Sequence, residues 1–187
     1  MLDSTGNIKL ADFGFAKRLT STTASFCGTP DYIASEIVAS KPYSFAVDWW
    51  SLGVLVFELV SGKTPFRADT SEGIYTNIQN NKIQWVPLVA GPIRELCAGL
   101  LEQDPVTRLG GRGSQDIKNA KWFSDINWEK LASRGVQPPL IPPFSTPESL
   151  ELEKVTKGGI SDYKDLLEEK GDKKLMDEKF GAAFSGF

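Results

Sequence analysis

Near the start of the sequence, residues 12–14 are Asp-Phe-Gly. The Asp12 carboxylate is the group in this region that most strongly suggests chemistry. Residues 12–14 follow residues 7–10, which come after a Ser-Thr-Gly turn and are predicted to form a short strand. Carboxylate oxygen is a ligand type that suits Mg²⁺, and a glycine permits a tight turn beside it. The tripeptide alone is also typical of an ordinary surface turn, so the segments that follow decide between the two interpretations.

Three further motifs follow in the chain. They are residues 26–36 (Phe-Cys-Gly-Thr-Pro-Asp-Tyr-Ile-Ala-Ser-Glu), 46–54 (Ala-Val-Asp-Trp-Trp-Ser-Leu-Gly-Val) and 104–110 (Asp-Pro-Val-Thr-Arg-Leu-Gly). In order and spacing the four motifs resemble the Asp-Phe-Gly motif, the end of the activation segment, the central helix and the late arginine motif of protein kinases. Ser35 stands where the activation-segment motif has proline. The Asp-Phe-Gly-Phe-Ala-Lys form, the paired tryptophans and residues 116–123 are similar to AGC serine/threonine kinases, closest to the cyclic-nucleotide-dependent catalytic chains.

The resemblance implies a mainly α, partial protein kinase-like fold. Residues 1–123 correspond to the lower part of the large lobe, from the strand before Asp-Phe-Gly through the last large-lobe helix, and residues 124–187 to the extended AGC-kinase C-terminal tail. The implied activity is Mg-ATP-dependent phosphoryl transfer to Ser or Thr of protein substrates in a basic context. The sequence contains no Gly-rich loop, strand lysine or His-Arg-Asp loop, so we expect the C-terminal part of a kinase that is inactive alone. The alternative is a noncatalytic, kinase-derived binding or scaffold fragment.

The resemblance also assigns catalytic and regulatory roles. Asp12 would bind the Mg²⁺ of Mg-ATP, and Thr29 would hydrogen-bond the catalytic-loop aspartate. Ser25 stands where AGC kinases carry the activating phosphate, and Lys17 matches one cationic partner of that phosphate. Tyr163 belongs to a tail segment that would contribute to the adenine pocket of ATP. The alternative for Asp12 is a solvated turn carboxylate, and the alternative for Ser25 is one more serine in a run of Ser and Thr residues at 20–25.

A second group of residues would bind the protein substrate. Phe26, Pro30 and Ile33 would line the pocket for the residue after the phosphoacceptor, although three apolar side chains also suit a hydrophobic core. Glu58 would bind an arginine two residues before the phosphoacceptor, with help from Asp31. The alternative for Glu58 is a buried carboxylate paired with Arg or Lys, because a lone buried charge is costly.

The remaining assignments are structural or concern partners. Glu36 and Arg108 would form a buried salt bridge that anchors the activation segment, and Asp48 would brace the catalytic loop. Phe184 and Phe187 would dock into the small lobe of an AGC kinase. A regulatory subunit is the other partner that the resemblance implies.

Four helices must position these side chains. The hydrophobic pattern predicts them over residues 44–61, 71–79 and 114–120, with another beginning at Pro92 and ending before Pro105. Apolar residues surround the first helix on nearly all sides, which is typical of a buried central helix. Ser71 is predicted to cap the second helix. The proline-rich residues 137–144 cannot be helical.

Composition and charge exclude several classes of function. The 187 residues carry 24 acidic and 21 basic side chains, and this slight acidity argues against a general nucleic-acid-binding protein. The absence of histidine excludes Ser-His-Asp and Cys-His catalysis. No signal peptide or membrane-spanning stretch is predicted, so we expect no membrane partner. Two cysteines without a disulfide framework favour the cytoplasm, with the nucleus as a second location.

Overall fold

The structure, a computed structural model, describes residues 1–19, 21–25 and 28–141. In this part of the chain the regular structure is helical, which confirms the mainly α prediction. The helices are α1 (Ser35–Val38), α2 (Ala46–Ser61), α3 (Ser71–Gln79), α4 (Pro92–Leu100), α5 (Gln115–Lys118) and α6 (Trp128–Ala132), with short 3-10 turns at Pro30–Tyr32 and Lys121–Phe123. Two compact units are present in the described residues, one of Met1–Ala11 with residues 137–141, the other of Asp12–Val136.

The first unit begins with a tight loop instead of the predicted strand. Leu2 and Ile8 form a single antiparallel bridge, so the prediction of a strand over residues 7–10 was wrong. The residues between them form a tight turn, in which the Asp3 carboxylate accepts hydrogen bonds from the Thr5 hydroxyl and the Asn7 N–H, both 2.8 Å long. These bonds lower the pKa of Asp3 to about 2. Beyond the bridge, the Lys9 N–H donates to the Met1 carbonyl at 2.8 Å and the Met1 amino group donates to the Lys9 carbonyl at 3.0 Å.

Helix α2 forms the centre of the second unit and buries one face. It begins two residues later than predicted and ends at Gly62, whose φ of 72° is the left-handed conformation that glycine adopts without strain. Its buried residues are Ala46, Trp50, Gly53, Val54 and Phe57. On another face, Leu55 is 42% exposed and Leu59 is 76% exposed, so the prediction of a helix buried on nearly all sides was wrong.

Helix α3 is confirmed apart from its cap, and α4 is confirmed at its start but ends at Leu100, earlier than the predicted end before Pro105. Helix α3 has the predicted bounds, but the Thr70 hydroxyl accepts the capping bond from the Gly73 N–H at 3.1 Å, in place of Ser71. Helix α4 begins at Pro92 as predicted. Its buried residues follow the predicted helical spacing and are Ile93, Leu96, Cys97 and Leu100.

Helix α2 contributes to two hydrophobic clusters of the second unit. In the first cluster, Trp50 stacks on Phe66 with ring centroids 5.3 Å apart. In the second, Phe57 packs with residues of α4, among them Cys97, which is fully buried. Burial raises the pKa of the Cys97 thiol to about 11. Across the described residues, no helix combines the length and the apolar character needed to cross a membrane.

Candidate substrate-binding and activation site

An open cleft of about 1050 Å³ lies in the second unit. The segment after Asp12, the turn that follows Thr29 and the N-terminal half of α2 provide its walls. Residues predicted to serve activation (Lys17 and Ser25) and those predicted to serve the substrate or catalytic loop (Ile33 and Asp48) line this one cleft. The fold therefore brings together predicted site residues that are far apart in the sequence.

Asp12 lies in an exposed turn at the start of this unit. Its φ of 62° is left-handed, which few residues other than glycine adopt, and the Gly14 N–H donates a hydrogen bond of 3.2 Å to its Oδ1. One exposed carboxylate oxygen therefore remains available as a hard ligand of the kind that suits Mg²⁺. Among the described residues, no group of three or more acidic, histidine or cysteine side chains converges to hold a metal ion.

Lys17 and Ser25 lie in neighbouring parts of the cleft with different partners. The Lys17 Nζ donates to the Thr23 Oγ1 at 2.6 Å. Thr23 is fixed by two backbone bonds to Tyr43, of 3.0 and 2.9 Å, and the Tyr43 hydroxyl donates to the Ser25 carbonyl at 2.8 Å. The side chain of Ser25 is exposed. In the unmodified chain, the Lys17 ammonium group therefore binds the Thr23 hydroxyl, two residues before the predicted phosphosite.

A 3-10 turn connects the Gly-Thr-Pro motif to the core. Pro30 occupies its first position, which suits the fixed φ of proline, and the Thr29 carbonyl accepts from the Tyr32 N–H at 3.0 Å. Thr29 itself is exposed and its side chain makes no capping bond. Ile33 is only 4% exposed and packs in the first cluster while bordering the cleft. Its structural contribution is therefore to the core.

Asp31 in this turn and Glu58 on α2 are each held by a neutral hydroxyl. The Tyr32 hydroxyl donates to the Glu58 Oε2, and the Thr64 hydroxyl donates to the Asp31 Oδ1 at 2.6 Å. Burial, followed by the hydrogen bond to Glu58, raises the pKa of Tyr32 to about 12. Within residues 1–19, 21–25 and 28–141, no Lys or Arg forms an ion pair with Glu58. The structure of these residues therefore does not support the alternative that Glu58 is paired with a cation of the same chain.

Glu36 and Arg108 form a buried bidentate ion pair. The two guanidinium terminal nitrogens donate to the two carboxylate oxygens at 2.8 Å each. The side chains are 5% and 0% exposed, and the remaining guanidinium bonds go to the carbonyls of Ala46, Glu102 and Gln103. The Ser35 hydroxyl lies 3.3 Å from both Glu36 Oε2 and the Gln103 carbonyl and can donate its single proton to either. This cluster joins α1 to α2 and to the loop after α4.

Asp48, the third residue of α2, borders the cleft and is exposed at its surface. Partial desolvation of its carboxylate raises the pKa of Asp48 above its ordinary value. No side chain or backbone N–H of the described residues donates to that carboxylate. The geometry thus presents an acceptor at the mouth of the cleft.

Several site residues were missed or lie elsewhere. Tyr32 and Thr64 hold the two acids, yet their sequence positions alone carry no signal of that role. Ser35 stood out as a departure from the motif, and its bond to Glu36 explains how a hydroxyl is accommodated. The predicted residues outside the described part of the chain are Phe26, Tyr163, Phe184 and Phe187.

The protein kinase domain family matches residues 1–123. The chain therefore belongs to the protein kinase family. It is 44% identical over 146 residues to cAMP-dependent protein kinase type 3 of Saccharomyces cerevisiae, covering 77% of this chain and 37% of that protein. It is 43% identical over 144 residues to the human cAMP-dependent protein kinase catalytic subunit PRKX, and this match covers 76% of this chain and 40% of that protein. It is 38% identical over 196 residues to the cAMP-dependent protein kinase catalytic subunit of Arthrobotrys oligospora, and this match covers 100% of this chain and 35% of that protein.

These relatives confirm the prediction of an AGC-type kinase of which the chain represents a part. The chain spans between about a third and two fifths of the length of these curated relatives. The family as a whole uses ATP and Mg²⁺ and acts on protein substrates.

Proposed function

We propose that these residues form the activation-segment and substrate-binding part of an AGC-type kinase that transfers phosphate from Mg-ATP to Ser or Thr of protein substrates in a basic context. The observation that carries this proposal is the state of Glu58. Its carboxylate is half-buried, held by the neutral Tyr32 hydroxyl, and without a cationic partner among the described residues. A carboxylate fixed in this way is ready to bind a cation from outside the chain.

Asp31 supports the same assignment. It lies next to Tyr32 in the chain and is oriented by Thr64, so two acidic groups face a shared neighbourhood around the Tyr32 ring. Two carboxylates with only hydroxyl donors attract a guanidinium more strongly than one. Basic peptides are therefore the substrate class that this surface favours.

The chemistry of the transfer would use Asp12 as one Mg²⁺ ligand. When bound, ATP would supply the phosphoryl group, and the Mg²⁺ would offset the negative charge of its phosphate oxygens. The left-handed turn at Asp12 directs a carboxylate to solvent while the Gly14 N–H fixes one of its oxygens. From the family resemblance we also propose the roles given above for Thr29, Pro30, Phe26 and Tyr163.

Ser25 is proposed as the activating phosphorylation site. A phosphate on its exposed hydroxyl would add close to two negative charges beside Lys17, which borders the same cleft. Lys17 would then exchange its bond to the Thr23 hydroxyl for a charge-assisted one, which is the stronger interaction. Phe184 and Phe187 are proposed to dock into an AGC-kinase small lobe, and a regulatory subunit remains a proposed partner.

A noncatalytic binding function is the second candidate. It is supported by the fact that Glu58, Asp31 and their hydroxyl donors all belong to the unit Asp12–Val136, which orients them by its own contacts. Such a unit could retain peptide binding without phosphoryl transfer.

The test compares peptide binding by the wild-type chain and by Glu58→Gln, using fluorescence anisotropy. The two peptides differ only in arginine or glutamine two residues before the serine. We expect about tenfold tighter binding of the arginine peptide by the wild type, a difference that Glu58→Gln removes. Glu129→Gln, at an exposed acid on α6, is the matched control. An arginine preference that persists in Glu58→Gln would contradict the proposed role of Glu58.

A further inference from the structure

The segment between α2 and α3 contains an arginine with an incomplete set of partners. Arg67 follows Phe66, which is fully buried against Trp50. The carbonyl of Arg67 accepts hydrogen bonds from the side-chain amides of Gln84, at 2.7 Å, and Asn77, at 3.3 Å. The backbone from which the guanidinium extends is therefore fixed from both sides.

One terminal nitrogen of the guanidinium is not satisfied. Its Nη1 is buried, yet no acceptor among the described residues bonds to it. No carboxylate of that part of the chain forms an ion pair with Arg67 either. A buried N–H donor without a partner is costly, and because Arg67 as a whole is only half-buried, a ligand can approach the rest of its guanidinium from solvent. The group that would satisfy a planar guanidinium best is a carboxylate or a phosphate, which offers two oxygens to its fork.

Arg67 is only three residues along the chain from Thr64, which orients one of the two acids proposed to bind the substrate. Thr64, three residues earlier, donates to Asp31 at 2.6 Å. Three residues span at most about 11 Å even when fully extended. A peptide that places a basic residue at Glu58 and Asp31 can therefore reach Arg67 within a few residues along its length.

We infer that Arg67 binds an acidic side chain of the same peptide whose basic residue binds Glu58. This inference rests on the proposed function and deepens it, because it narrows the substrate class to peptides that carry a base near the phosphoacceptor and an acid several residues away. Because hydrogen bonds already fix the backbone of Arg67, binding requires little further ordering of that backbone, and this lowers the entropic cost of binding.

The experiment measures binding of fluorescent peptides to the full 187-residue chain. Every peptide carries the serine and its upstream arginine, and a single glutamate is placed three to eight residues from that arginine on either side. Each is compared with the same peptide carrying glutamine. The proteins are wild type, Arg67→Gln, Arg67→Lys and the matched control Arg112→Gln, an exposed arginine. Circular dichroism and thermal unfolding verify that every variant is folded.

We expect at least one glutamate position to tighten binding by about tenfold in the wild type and Arg112→Gln. Arg67→Gln should abolish this difference, and Arg67→Lys should retain only part of it because lysine lacks the planar fork. Equal binding of glutamate and glutamine peptides at every position would overturn the inference. Competition by inorganic phosphate without any glutamate effect would assign a free-anion site and overturn it as well.

The two proposals fail in different ways. If arginine peptides lose their advantage in Glu58→Gln but no glutamate effect is found, the proposed function stands and the Arg67 inference falls. If glutamate tightens binding through Arg67 while arginine gives no advantage, the acidic-residue site stands and the basic-substrate proposal falls.

Discussion

Glu36 and Glu58 have the same side chain in different surroundings. Glu36 is fully buried, and both its oxygens are bound by Arg108, whose other donors are bound by backbone carbonyls. Glu58 accepts a hydrogen bond from Tyr32 and has no counter-charge among residues 1–19, 21–25 and 28–141. The first carboxylate is satisfied internally and stabilises the fold, whereas the second retains attraction for an external cation.

At the scale of single residues, loss of Arg108 should be strongly destabilising. Arg108→Leu leaves the Glu36 carboxylate buried without its partner, and we expect the free energy of unfolding to fall by about 3–5 kcal/mol. Urea denaturation at neutral pH measures the change. Arg112→Gln, at an exposed arginine, should stay within about 0.5 kcal/mol of the wild type. A loss below about 1 kcal/mol in Arg108→Leu would contradict a structural role for the pair.

Tyr32 provides a pH-dependent prediction. Its pKa is raised from 10.0 to about 12, so the folded state favours the neutral phenol. The resulting contribution to stability is complete below pH 10 and is lost as the pH rises through 12. The ultraviolet absorbance of tyrosinate, taken as the difference between wild type and Tyr32→Phe, reports this ionisation. Glu58→Gln should lower the Tyr32 pKa, and Glu129→Gln should leave it unchanged. Ionisation of Tyr32 near pH 10 in the wild type would contradict the hydrogen-bonded geometry.

At the scale of elements, adjacent residues at the start of α3 make opposite predictions. Thr70→Ala removes the hydroxyl that accepts from the Gly73 N–H and should cost about 1 kcal/mol of stability. Ser71→Ala should change stability by less than about 0.5 kcal/mol, because Ser71 is an exposed first-turn residue without a capping bond. Thermal unfolding of the two variants measures the difference. A larger loss in Ser71→Ala than in Thr70→Ala would restore the cap predicted from the sequence.

The elements show which patterns the sequence could predict. Helix α4 was predictable because Pro92 marks its start and its apolar residues repeat at helical spacing. Thr70 and Ser71 are both good capping residues, so only the backbone conformation distinguishes them. Burial of α2 was overestimated because composition cannot show which apolar residues pack against a neighbouring element. Leu59, for example, is largely exposed.

The site was less predictable than the helices. Tyr32 and Glu58 are 26 residues apart, and Thr64 and Asp31 are 33 apart, so their bonds depend on the tertiary fold. The Glu36–Arg108 pairing came from the family resemblance and could not be deduced from spacing. Nothing in the sequence distinguished Arg67 from other arginines, because its special feature is the absence of an acceptor in the described fold.

At the scale of the whole molecule, we expect the 187-residue polypeptide alone to show no phosphotransferase activity. Its sequence holds Asp12 but no Gly-rich loop, strand lysine or His-Arg-Asp loop, and catalytic groups that act as a unit lose nearly all effect when separated. The measurement is transfer from radiolabelled ATP to a basic serine peptide. Asp12→Ala is the control for a contaminating kinase. Turnover that disappears in Asp12→Ala would contradict this expectation.

The buried thiol of Cys97 makes the second hydrophobic cluster chemically observable. Only the thiolate reacts rapidly with alkylating reagents, and a pKa of about 11 keeps the group protonated while the cluster is intact. In a Cys27→Ser background, the alkylation rate of Cys97 therefore reports how often α4 separates from Phe57 and its neighbours. Comparing that rate with and without bound peptide would reveal whether ligand binding on one side of α2 restrains the opening of the cluster on its other side.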